Sequence, residues 1–458
     1  MTIKIPEQSS LKLEALINIV LVSLDTLRAD HLSCYGYGRP TSPNLDQFAA
    51  GGVLFNECFS THIPTHPAHT CMMTGQDPFI TGIIAQGAQV DLPSDIPMLA
   101  ERLREEGYFT AAADNLGRWF SRGFNLYEGY QWEIAPHQSW RKAEAVNETA
   151  LRVLSQCAAQ PDPFFLFIHY WDCHTPYLPP APFDRMFYSG DEKDPANSSM
   201  DPVWKCEAFN HYFAEWLPDV TDIEFPKAQY DAEIAYLDSQ LAPLFTALND
   251  LTGDTCVIIT ADHGEEMDEH GCWFDHHGLY DTNLHIPLIV RGGGAAGGRR
   301  PDGFVRTLDI APTILDLAGL PESKGPQNLQ GRSFRRMLEG TAPAGEGTCS
   351  ELFLSECTWM RKRGYRNHQY KYIQALEPDL HGKPPEELYD LFTDPGETIN
   401  LAQSNPDLVE PLRSRLGEWK ADREAASGRP DPLDGASISL RRIGNPATPL
   451  PRRVTANE

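Results

Sequence analysis

The chain has 458 residues, of which 41% are hydrophobic and 22% are charged, a composition typical of a soluble globular protein with a sizeable core. Its formal net charge of −26 argues against a nucleic-acid partner, because phosphate backbones are bound through positively charged surfaces. The N-terminus contains one short apolar run and no small-residue cleavage site, so we expect no signal peptide, no membrane span and a cytoplasmic protein.

Apolar runs of strand length alternate with helical patterns along the first two thirds of the chain. The runs are 17–24 (INIVLVSL), 164–169 (FFLFIH), 255–260 (TCVIIT) and 287–290 (PLIV). Helical spacing of apolar residues covers 99–106, 230–248 and 309–318, the last with Asp309 as a candidate N-cap. Near-continuous apolar strands separated by helices predict an α/β fold with a large, mostly parallel central sheet flanked by helices.

The pattern changes after about residue 345, where shorter runs predict an antiparallel sheet closed by a helix around 408–419. We therefore expect a catalytic α/β domain over 1–345 and a smaller C-terminal subdomain over 346–424. Residues 425–458 are rich in Pro and Arg and are interpreted as a tail or an oligomerisation arm. The ten cysteines form no C-x-x-C pair, and we expect reduced thiols.

Residues 187–224 form an irregular insert rich in Asp, Pro, Trp and Tyr, a length that is typical of a lid or binding loop. Its aromatic side chains have two interpretations, a substrate wall or a cover for the core or a dimer contact. These side chains are Trp204, Phe209, His211, Tyr212 and Trp216.

Polar residues follow three of the predicted strands directly. They are Asp25 after the first, His169, Asp172 and His174 at the end of the second, and Asp262 and His263 after the third. Ligands of open α/β sheets bind outside the carboxyl ends of the strands. Carboxylate oxygens and imidazole nitrogens gathered there predict a site for a hard or borderline divalent cation.

A series of motifs resembles the sulfatase family of the alkaline-phosphatase superfamily, in the family's order, from about Asn18 to Trp419. The matching segments are SLDTLRADHLSCYGYGRPTSPNLDQFAAGGVLFNECFS, PTHPAHTCMMTGQDPFITG, FFLFIHYWDCHTPYLPP, YDAEIAYLD, VIITADHGEEMDEHG, HHGLYDTNLHIPLIVRG, RTLDIAPTILDLAGLP and ELYDLFTDPGETINLA. The resemblance implies an alkaline-phosphatase-like fold and an ester hydrolase that acts on a small anionic ester.

The family's nucleophile motif, C-x-P-S-R followed by T-G, departs from its usual form here. In register with Thr74 and Gly75, Thr65 occupies the cysteine position, Ala68 the serine position and His69 the arginine position. Sulfatases convert that cysteine, or a serine, into an aldehyde, which threonine cannot give. The resemblance therefore implies a covalent Thr65 ester that water clears, as in the phosphatase and phosphodiesterase branches. Pro67 is well placed to open a helix whose free N–H groups face the transferred anion.

The metal ligands implied by the resemblance are Asp25, Asp262, His263 and the Thr65 hydroxyl, with Thr26 at the place of a second family aspartate. The ion is Mn, Ca, Zn or Mg, and we expect one ion rather than two. Conceivable donors to a second ion are Asp309, His277 and His285.

Further roles follow from the same register. His174 matches the histidine near the leaving-group oxygen and is expected to act as a general acid. His276 and His277 both lie near the family's anion-binding position, and His277 is preferred as the catalytic residue. His69 is expected to act as a donor to the threonine oxygen or as a ligand. The remaining substrate-binding candidates are Asn115, Arg118 and His276.

Four other functions are alternatives to hydrolysis of phosphate or phosphonate esters. A conventional sulfatase fits the overall resemblance but not Thr65, and a phosphoryl transferase of this type is commonly membrane-anchored. An inactive binding protein would be free to lose Asp25, Asp262 and His263, which are all present. A Ser-His-Asp esterase is disfavoured because no G-x-S-x-G motif occurs. A homo-oligomer is possible on this sequence.

Overall fold

The computed structural model describes residues 17–87, 90–130, 143–320 and 329–436. In chain order the strands are β1 (Asn18–Leu24), β2 (Val53–Leu54), β3 (Cys58–Phe59), β4 (His62–Ile63), β5 (Phe109–Ala113), β6 (Leu126–Glu128), β7 (Phe164–Tyr170), β8 (Thr255–Thr260), β9 (His285–Ile286), β10 (Leu288–Arg291), β11 (Val305–Arg306), β12 (Leu352–Cys357), β13 (Arg361–Arg366), β14 (Tyr370–Ala375) and β15 (Glu386–Asp390).

The α-helices are α1 (Pro43–Ala50), α2 (Thr65–Thr74), α3 (Pro78–Thr81), α4 (Leu99–Glu105), α5 (Ala143–Ala158), α6 (Asp201–Trp204), α7 (Asn210–Trp216), α8 (Glu224–Asn249), α9 (Asp281–Leu284), α10 (Ile310–Leu317), α11 (Arg335–Glu339) and α12 (Pro406–Ser427). Single 3-10 turns are Ala29–His31, Ser33–Tyr35, Arg118–Ser121, Phe183–Arg185 and Thr307–Asp309.

A seven-stranded sheet forms the centre of the fold, in the order β2-β10-β8-β1-β7-β5-β6. The strands from β8 to β6 run parallel, and β10 is antiparallel to both of its neighbours. Residues 19–22 of β1 are fully buried, because α5 and other helices cover the sheet. The prediction of a mostly parallel sheet flanked by helices is confirmed.

The long helices extend beyond their predicted bounds. Helix α8 begins at Glu224 instead of residue 230, since Pro226 lies in its first turn, where its missing N–H breaks no intrahelical hydrogen bond. Helix α12 continues to Ser427 and ends at Gly428, which has a left-handed backbone with φ 66°.

The predicted start of a tail at residue 425 is wrong for the described residues. Helix α12 crosses that boundary, and beyond it Leu433 is buried and the Asp431 carboxylate pairs with the Arg363 guanidinium. The rest of the predicted tail, 437–458, lies outside the described residues.

The antiparallel C-terminal subdomain is confirmed, and its sheet has the order β15-β14-β13-β12-β4. Strand β4 comes from the N-terminal part of the chain and pairs in parallel with β12, so that His62 lies opposite Ser355. The last residue of β4 is two residues before Thr65. The C-terminal sheet therefore supports the chain segment that leads to the expected nucleophile.

The insert at 187–224 is folded against the rest of the molecule. Phe209 and Trp216 are buried, and Trp204 Nε1 donates to the Val220 carbonyl at 2.9 Å. The Tyr212 hydroxyl lies 3.4 Å from Thr175 Oγ1, beside the segment that carries His174. These positions favour the interpretation that most of the insert's aromatic residues cover the core.

All ten cysteines, each within the described ranges, are free thiols. Over the same ranges, the structure contains no helix with the length and apolarity needed to cross a membrane.

Candidate active site

Two neighbouring strands place the expected metal ligands at one edge of the central sheet. Asp25 directly follows β1, and Asp262 follows β8 after one residue. Because β1 and β8 are parallel, with Ser23 opposite Thr260, both carboxylates emerge at the same end. One ligand atom each from Asp25, Asp262 and His263 lies within 4.8 Å of the others, and all three residues are fully buried.

The donor atoms of this group fit a divalent cation. Asp25 Oδ1 and Asp262 Oδ2 are buried and have no hydrogen-bond partner among the described residues, which is costly for a charged group without a counter-ion. Asp262 Oδ1, by contrast, accepts the N–H groups of Thr26 at 3.2 Å and His263 at 2.9 Å. His263 Nδ1 donates to the Gly264 carbonyl at 2.9 Å, which leaves Nε2 with a lone pair for a ligand.

The hydroxyl of Thr65 contacts this group through His263. Thr65 is the first residue of α2, is 2% exposed, and places Oγ1 at 3.2 Å from His263 Nε2. The structure therefore brings the expected nucleophile and the expected metal ligands together. The start of α2 offers fewer free N–H groups than expected, since Pro67 has none and that of His66 donates to Gln86 Oε1 at 3.1 Å.

His69 holds the first turn of α2 instead of facing an anion. Its Nδ1 donates to the Thr65 carbonyl at 3.0 Å, and its Nε2 accepts the Ser23 hydroxyl at 2.9 Å. Burial lowers the pKa of His69 to about 4, against the opposing effect of Asp262, so the ring is neutral at pH 7. Both ring nitrogens are occupied, so this geometry favours neither of the expected roles, a donor to the threonine side-chain oxygen or a metal ligand, and we interpret His69 as a positioning residue.

A buried chain of charged side chains lies behind Asp25. His169 on β7 contacts Asp25 Oδ2 at 3.3 Å and Asp114 Oδ1 at 2.9 Å, and all three residues are buried. Burial opposes the charge on His169, but hydrogen bonds with Asp114 and Asp25 raise its pKa to about 9. Sequence reasoning placed His169 at the sheet edge and missed Asp114, which follows β5 just as Asp25 follows β1.

The positions of the two rings favour His276 over the expected His277 as the histidine at the site. The His276 ring stacks on His263 with centroids 4.4 Å apart and lies 5.2 Å from the His174 ring. His277 is fully buried and turned towards His381, with the two Nε2 atoms 2.7 Å apart. His276 is therefore the histidine of this pair that borders the Thr65 group.

Two acidic residues accompany His276. One ligand atom each from Glu265, Asp275 and His276 lies within 4.8 Å of the others. Burial and the neighbouring Asp275 and Asp25 raise the pKa of Glu265 well above its usual range. Sequence reasoning missed Glu265 and Asp275, although both lie in the segments that carry His263 and His276.

His174 lies at the same side of the site as His276. It is half-buried, and its Nδ1 donates to the Thr175 carbonyl at 2.7 Å, which fixes the ring and directs Nε2 away from that carbonyl. This arrangement is compatible with the expected general-acid role.

Asn115 and Arg118 have other partners than the expected substrate. The Asn115 side chain bonds the carbonyl and the N–H of Tyr130, at 3.0 and 3.2 Å. Arg118 is exposed and forms an ion pair with Asp91 at 2.7 Å. These contacts give both side chains partners within the protein, and their role in substrate binding stays a prediction.

Two of the donors considered for a second ion are also engaged elsewhere. Asp309 accepts the Arg306 guanidinium at 2.9 Å and the Arg332 N–H at 2.8 Å, and its side chain does not cap α10. His285 Nε2 donates to the Asn56 carbonyl at 2.8 Å.

Comparisons with known proteins agree with this geometry. The family model described as Sulfatase matches residues 17–320, and the model described as N-sulphoglucosamine sulphohydrolase, C-terminal, matches residues 268–422. Human arylsulfatase A is 26% identical over 89% of this chain and 88% of its own.

Solved structures of a phosphonate monoester hydrolase and of a sulfatase share the fold of this chain. The phosphonate monoester hydrolase of Agrobacterium radiobacter has a TM-score of 0.70 and 22% identity, over 89% of this chain and 96% of its own. A 2-O GAG sulfatase has a TM-score of 0.71 and 21% identity, over 93% of this chain and 97% of its own. The overall fold therefore does not distinguish hydrolysis of phosphonate esters from hydrolysis of sulfate esters. The distinction must come from the side chains of the site.

Proposed function

The chain belongs to the sulfatase family of ester hydrolases, and we propose that it cleaves phosphate or phosphonate esters through a covalent intermediate on Thr65. The observation that carries the proposal is the position of the Thr65 hydroxyl, 3.2 Å from Nε2 of His263, the histidine that forms a group of possible metal ligands with Asp25 and Asp262. A hydroxyl at the start of a helix, against a group of metal-ligating atoms, is the arrangement expected of an activated nucleophile.

The identity of residue 65 separates this chemistry from that of the sulfatase aldehyde. Oxidation of a threonine side chain gives a ketone, so the aldehyde hydrate used by sulfatases is not available from Thr65. A threonine ester must instead be cleared by attack of water on the central atom. Phosphorus esters are suited to this route, because the same in-line displacement both forms and cleaves the intermediate.

Two displacements at phosphorus complete the proposed reaction. First, the Thr65 hydroxyl gives its proton to solvent and its oxygen forms a bond to phosphorus, while the bond to the leaving-group oxygen breaks and His174 gives that oxygen a proton. Second, water attacks phosphorus and His174 takes a proton from this water, while the bond to Thr65 breaks and the released Thr65 alkoxide takes a proton from solvent. The direction of His174 Nε2, set by the Nδ1 contact with Thr175, supports the role of this histidine.

We assign the anion-binding role to His276 in place of His277. Its ring lies between His263 and His174, so a phosphoryl group beside Thr65 would come within its reach. Asp275 Oδ1 lies 3.2 Å from His276 Nδ1, close enough to form an ion pair with the ring when it is protonated. A cationic or hydrogen-bond-donating imidazole there would stabilise charge that develops on the transferred group.

The residues proposed to hold the metal are Asp25, Asp262, His263 and Thr65. A divalent cation bound there would offset the two buried carboxylates and lower the pKa of the Thr65 hydroxyl. Because one donor is an imidazole nitrogen, Zn and Mn fit this set better than Ca or Mg, which prefer all-oxygen sites. We propose one ion at this position.

A substrate panel tests the reaction class. After reconstitution with Zn or Mn, aryl esters of phosphate (mono and di), phosphonate and sulfate are compared by kcat/KM. We expect at least one phosphorus ester to be preferred over the sulfate ester. A protein that hydrolyses only the sulfate ester would reject the proposal.

Trapping of the intermediate tests the nucleophile. The enzyme is quenched in acid during turnover of the preferred ester and digested for mass spectrometry, where we expect phosphate or phosphonate on the peptide that contains Thr65. Thr61 is a matched internal control, since it is a buried threonine only four residues earlier. Modification of Thr61, or of any residue other than Thr65, would contradict the mechanism.

A further inference from the structure

A second group of metal-ligating side chains lies outside the proposed catalytic residues. It consists of Cys272, His277 and His381, whose ligand atoms lie within 4.8 Å of one another. Cys272 and His277 belong to the segment between β8 and α9, whereas His381 belongs to the connection between β14 and β15. The group therefore joins the catalytic part of the chain to the C-terminal subdomain.

A hydrogen bond between the two imidazoles accounts for only part of this arrangement. The Nε2 atoms of His277 and His381 are 2.7 Å apart, so one nitrogen donates and the other accepts. This bond gives no role to the buried Cys272 thiol beside it. It also leaves His277 Nδ1 buried without a hydrogen-bond partner among the described residues; the nearest carboxylate oxygen, Asp275 Oδ2, is 3.9 Å away.

We propose that Cys272, His277 and His381 form a site for a zinc-class transition-metal ion, separate from the ion at Thr65. One thiolate and two imidazoles are the donors that Zn²⁺ prefers, and three protein ligands leave a fourth position for water. Calcium and magnesium ions are excluded by the same donors, since both require oxygen ligands. The site thus differs in chemical class from the oxygen-rich group around Asp25.

Neighbouring side chains hold the backbone at two of the ligands. The backbone N–H of His381 donates to Asp379 Oδ1 at 2.7 Å, and Asp379 forms an ion pair with the buried Lys362 at 2.7 Å. On the other side, Asn283 Nδ2 donates to the backbone carbonyl of His277 at 2.9 Å. These contacts fix the backbone at both histidines before any ion binds, which lowers the entropy lost on binding.

An aromatic shell surrounds the two imidazoles. The Phe209 ring is nearly parallel to both, with centroids 5.5 Å from His277 and 6.0 Å from His381. Trp273 meets His381 edge-on at 5.7 Å. An apolar shell of this kind limits the access of water and strengthens metal–ligand interactions. Since Phe209 belongs to the 187–224 insert, the site would fix the insert as well.

The expected role of this ion is to fix the segment that carries His276. His277 directly follows His276, so an ion bound to His277 and His381 would tie the anion-binding residue to the C-terminal sheet. Metal binding that joins two parts of a fold adds to stability, because the unfolded chain has no preformed site. Loss of the ion is therefore expected to lower the melting temperature.

Cobalt substitution tests the site without reference to activity. The full-length protein is stripped with a chelator, titrated with Co²⁺ and followed by absorption spectroscopy. We expect a near-ultraviolet thiolate-to-cobalt charge-transfer band and the intense visible bands of a tetrahedral ion. A wild-type protein that shows no thiolate band at saturating Co²⁺ would overturn the proposal, whatever the variants do.

Variants assign the band to these residues. Cys272→Ser and His381→Gln should each bind one ion fewer per chain than the wild type, and Cys272→Ser should lose the band. Cys349→Ser and His368→Gln are matched controls, and each should retain the wild-type number of bound ions and the charge-transfer band. Asp25→Asn should lose the other ion and keep the band, which separates this proposal from the one about Thr65. Unchanged metal content and spectrum in Cys272→Ser would overturn it.

Discussion

Replacing Thr65 by Val separates the chemistry of this residue from its part in folding. The substitution exchanges a hydroxyl for a methyl group of similar size at a position that is 2% exposed. The lost contact is one hydrogen bond, from Oγ1 to His263 Nε2 at 3.2 Å, whose net contribution to stability is about 1 kcal/mol. For a chain of this length that corresponds to a fall in Tm of about 2 °C or less.

The kinetic effect of the same substitution should be far larger. Removal of a catalytic nucleophile lowers kcat by at least about 10⁴-fold, which corresponds to about 5 kcal/mol of transition-state stabilisation. Thr65→Ser keeps the oxygen and loses one buried methyl group, a cost of about 1 kcal/mol in stability, and should retain activity. The comparison therefore predicts two variants of similar stability and very different kcat.

The assay combines single-turnover kinetics on the preferred phosphorus ester with thermal unfolding followed by circular dichroism. Metal content is measured in each variant, since Thr65 is also a proposed ligand and a lost ion would mimic a lost nucleophile. A Thr65→Val variant that binds metal and keeps more than about 1% of wild-type kcat would refute the argument, because such a residue cannot be the nucleophile.

Three further predictions concern residues around the site. His276→Gln should lower kcat/KM by about 10²- to 10⁴-fold, because the His276 ring stacks on His263. His277→Gln should have a smaller effect, because its ring does not. If steady-state kinetics show the larger loss for His277→Gln, the anion-binding role belongs to His277. Arg118→Ala should leave kcat/KM essentially unchanged and reduce stability by about 1 kcal/mol or less, since its ion pair with Asp91 is at the surface; a large rise in KM would show that Arg118 binds substrate. Glu356→Gln should stabilise the protein at alkaline pH. Burial raises the pKa of Glu356 from 4.5 to about 7 in the folded state, so wild-type stability falls as pH rises from 4.5 to 7, by about 3 kcal/mol in all. Urea unfolding should therefore give a more stable variant at pH 8 and equal stabilities at pH 4, and equal stabilities at both pH values would contradict the prediction.

The fold was predictable because its central strands carry a strong local signal. Strand β1 is almost wholly apolar and is followed directly by a carboxylate, a pattern typical of a strand that is covered on both faces. Strand β4 could not be found in this way, since it has two residues and depends on pairing with β12, nearly 300 positions later in the chain. Short strands of this kind are defined by tertiary pairing, and local sequence does not encode them.

The proximity of the proposed metal ligands Asp25 and Asp262 was predictable for a similar reason. Asp25 and Asp262 each follow a strand, and the geometry of a parallel sheet brings the ends of neighbouring strands together. The choice between His276 and His277 could not be predicted from the sequence, because consecutive residues in a loop point in different directions. Only tertiary packing decides which of the two side chains faces the site. His381 and Phe209, which hold the His277 ring, come from distant segments with no motif of their own.

The C-terminal sheet acts on the active site from two sides. Strand β4 pairs with β12 and leads into α2, whose first residue is Thr65, so the sheet sets where the hydroxyl lies. The connection between β14 and β15 carries His381, which contacts the neighbour of His276. The proposed nucleophile and the proposed anion-binding histidine thus both depend on this sheet, although they are far apart in sequence. A change in the packing of that sheet would move both groups relative to Asp25 and Asp262, and displacements of about 1 Å are enough to reduce catalysis 100-fold. We therefore expect substitutions that disturb the C-terminal sheet to lower activity as well as stability.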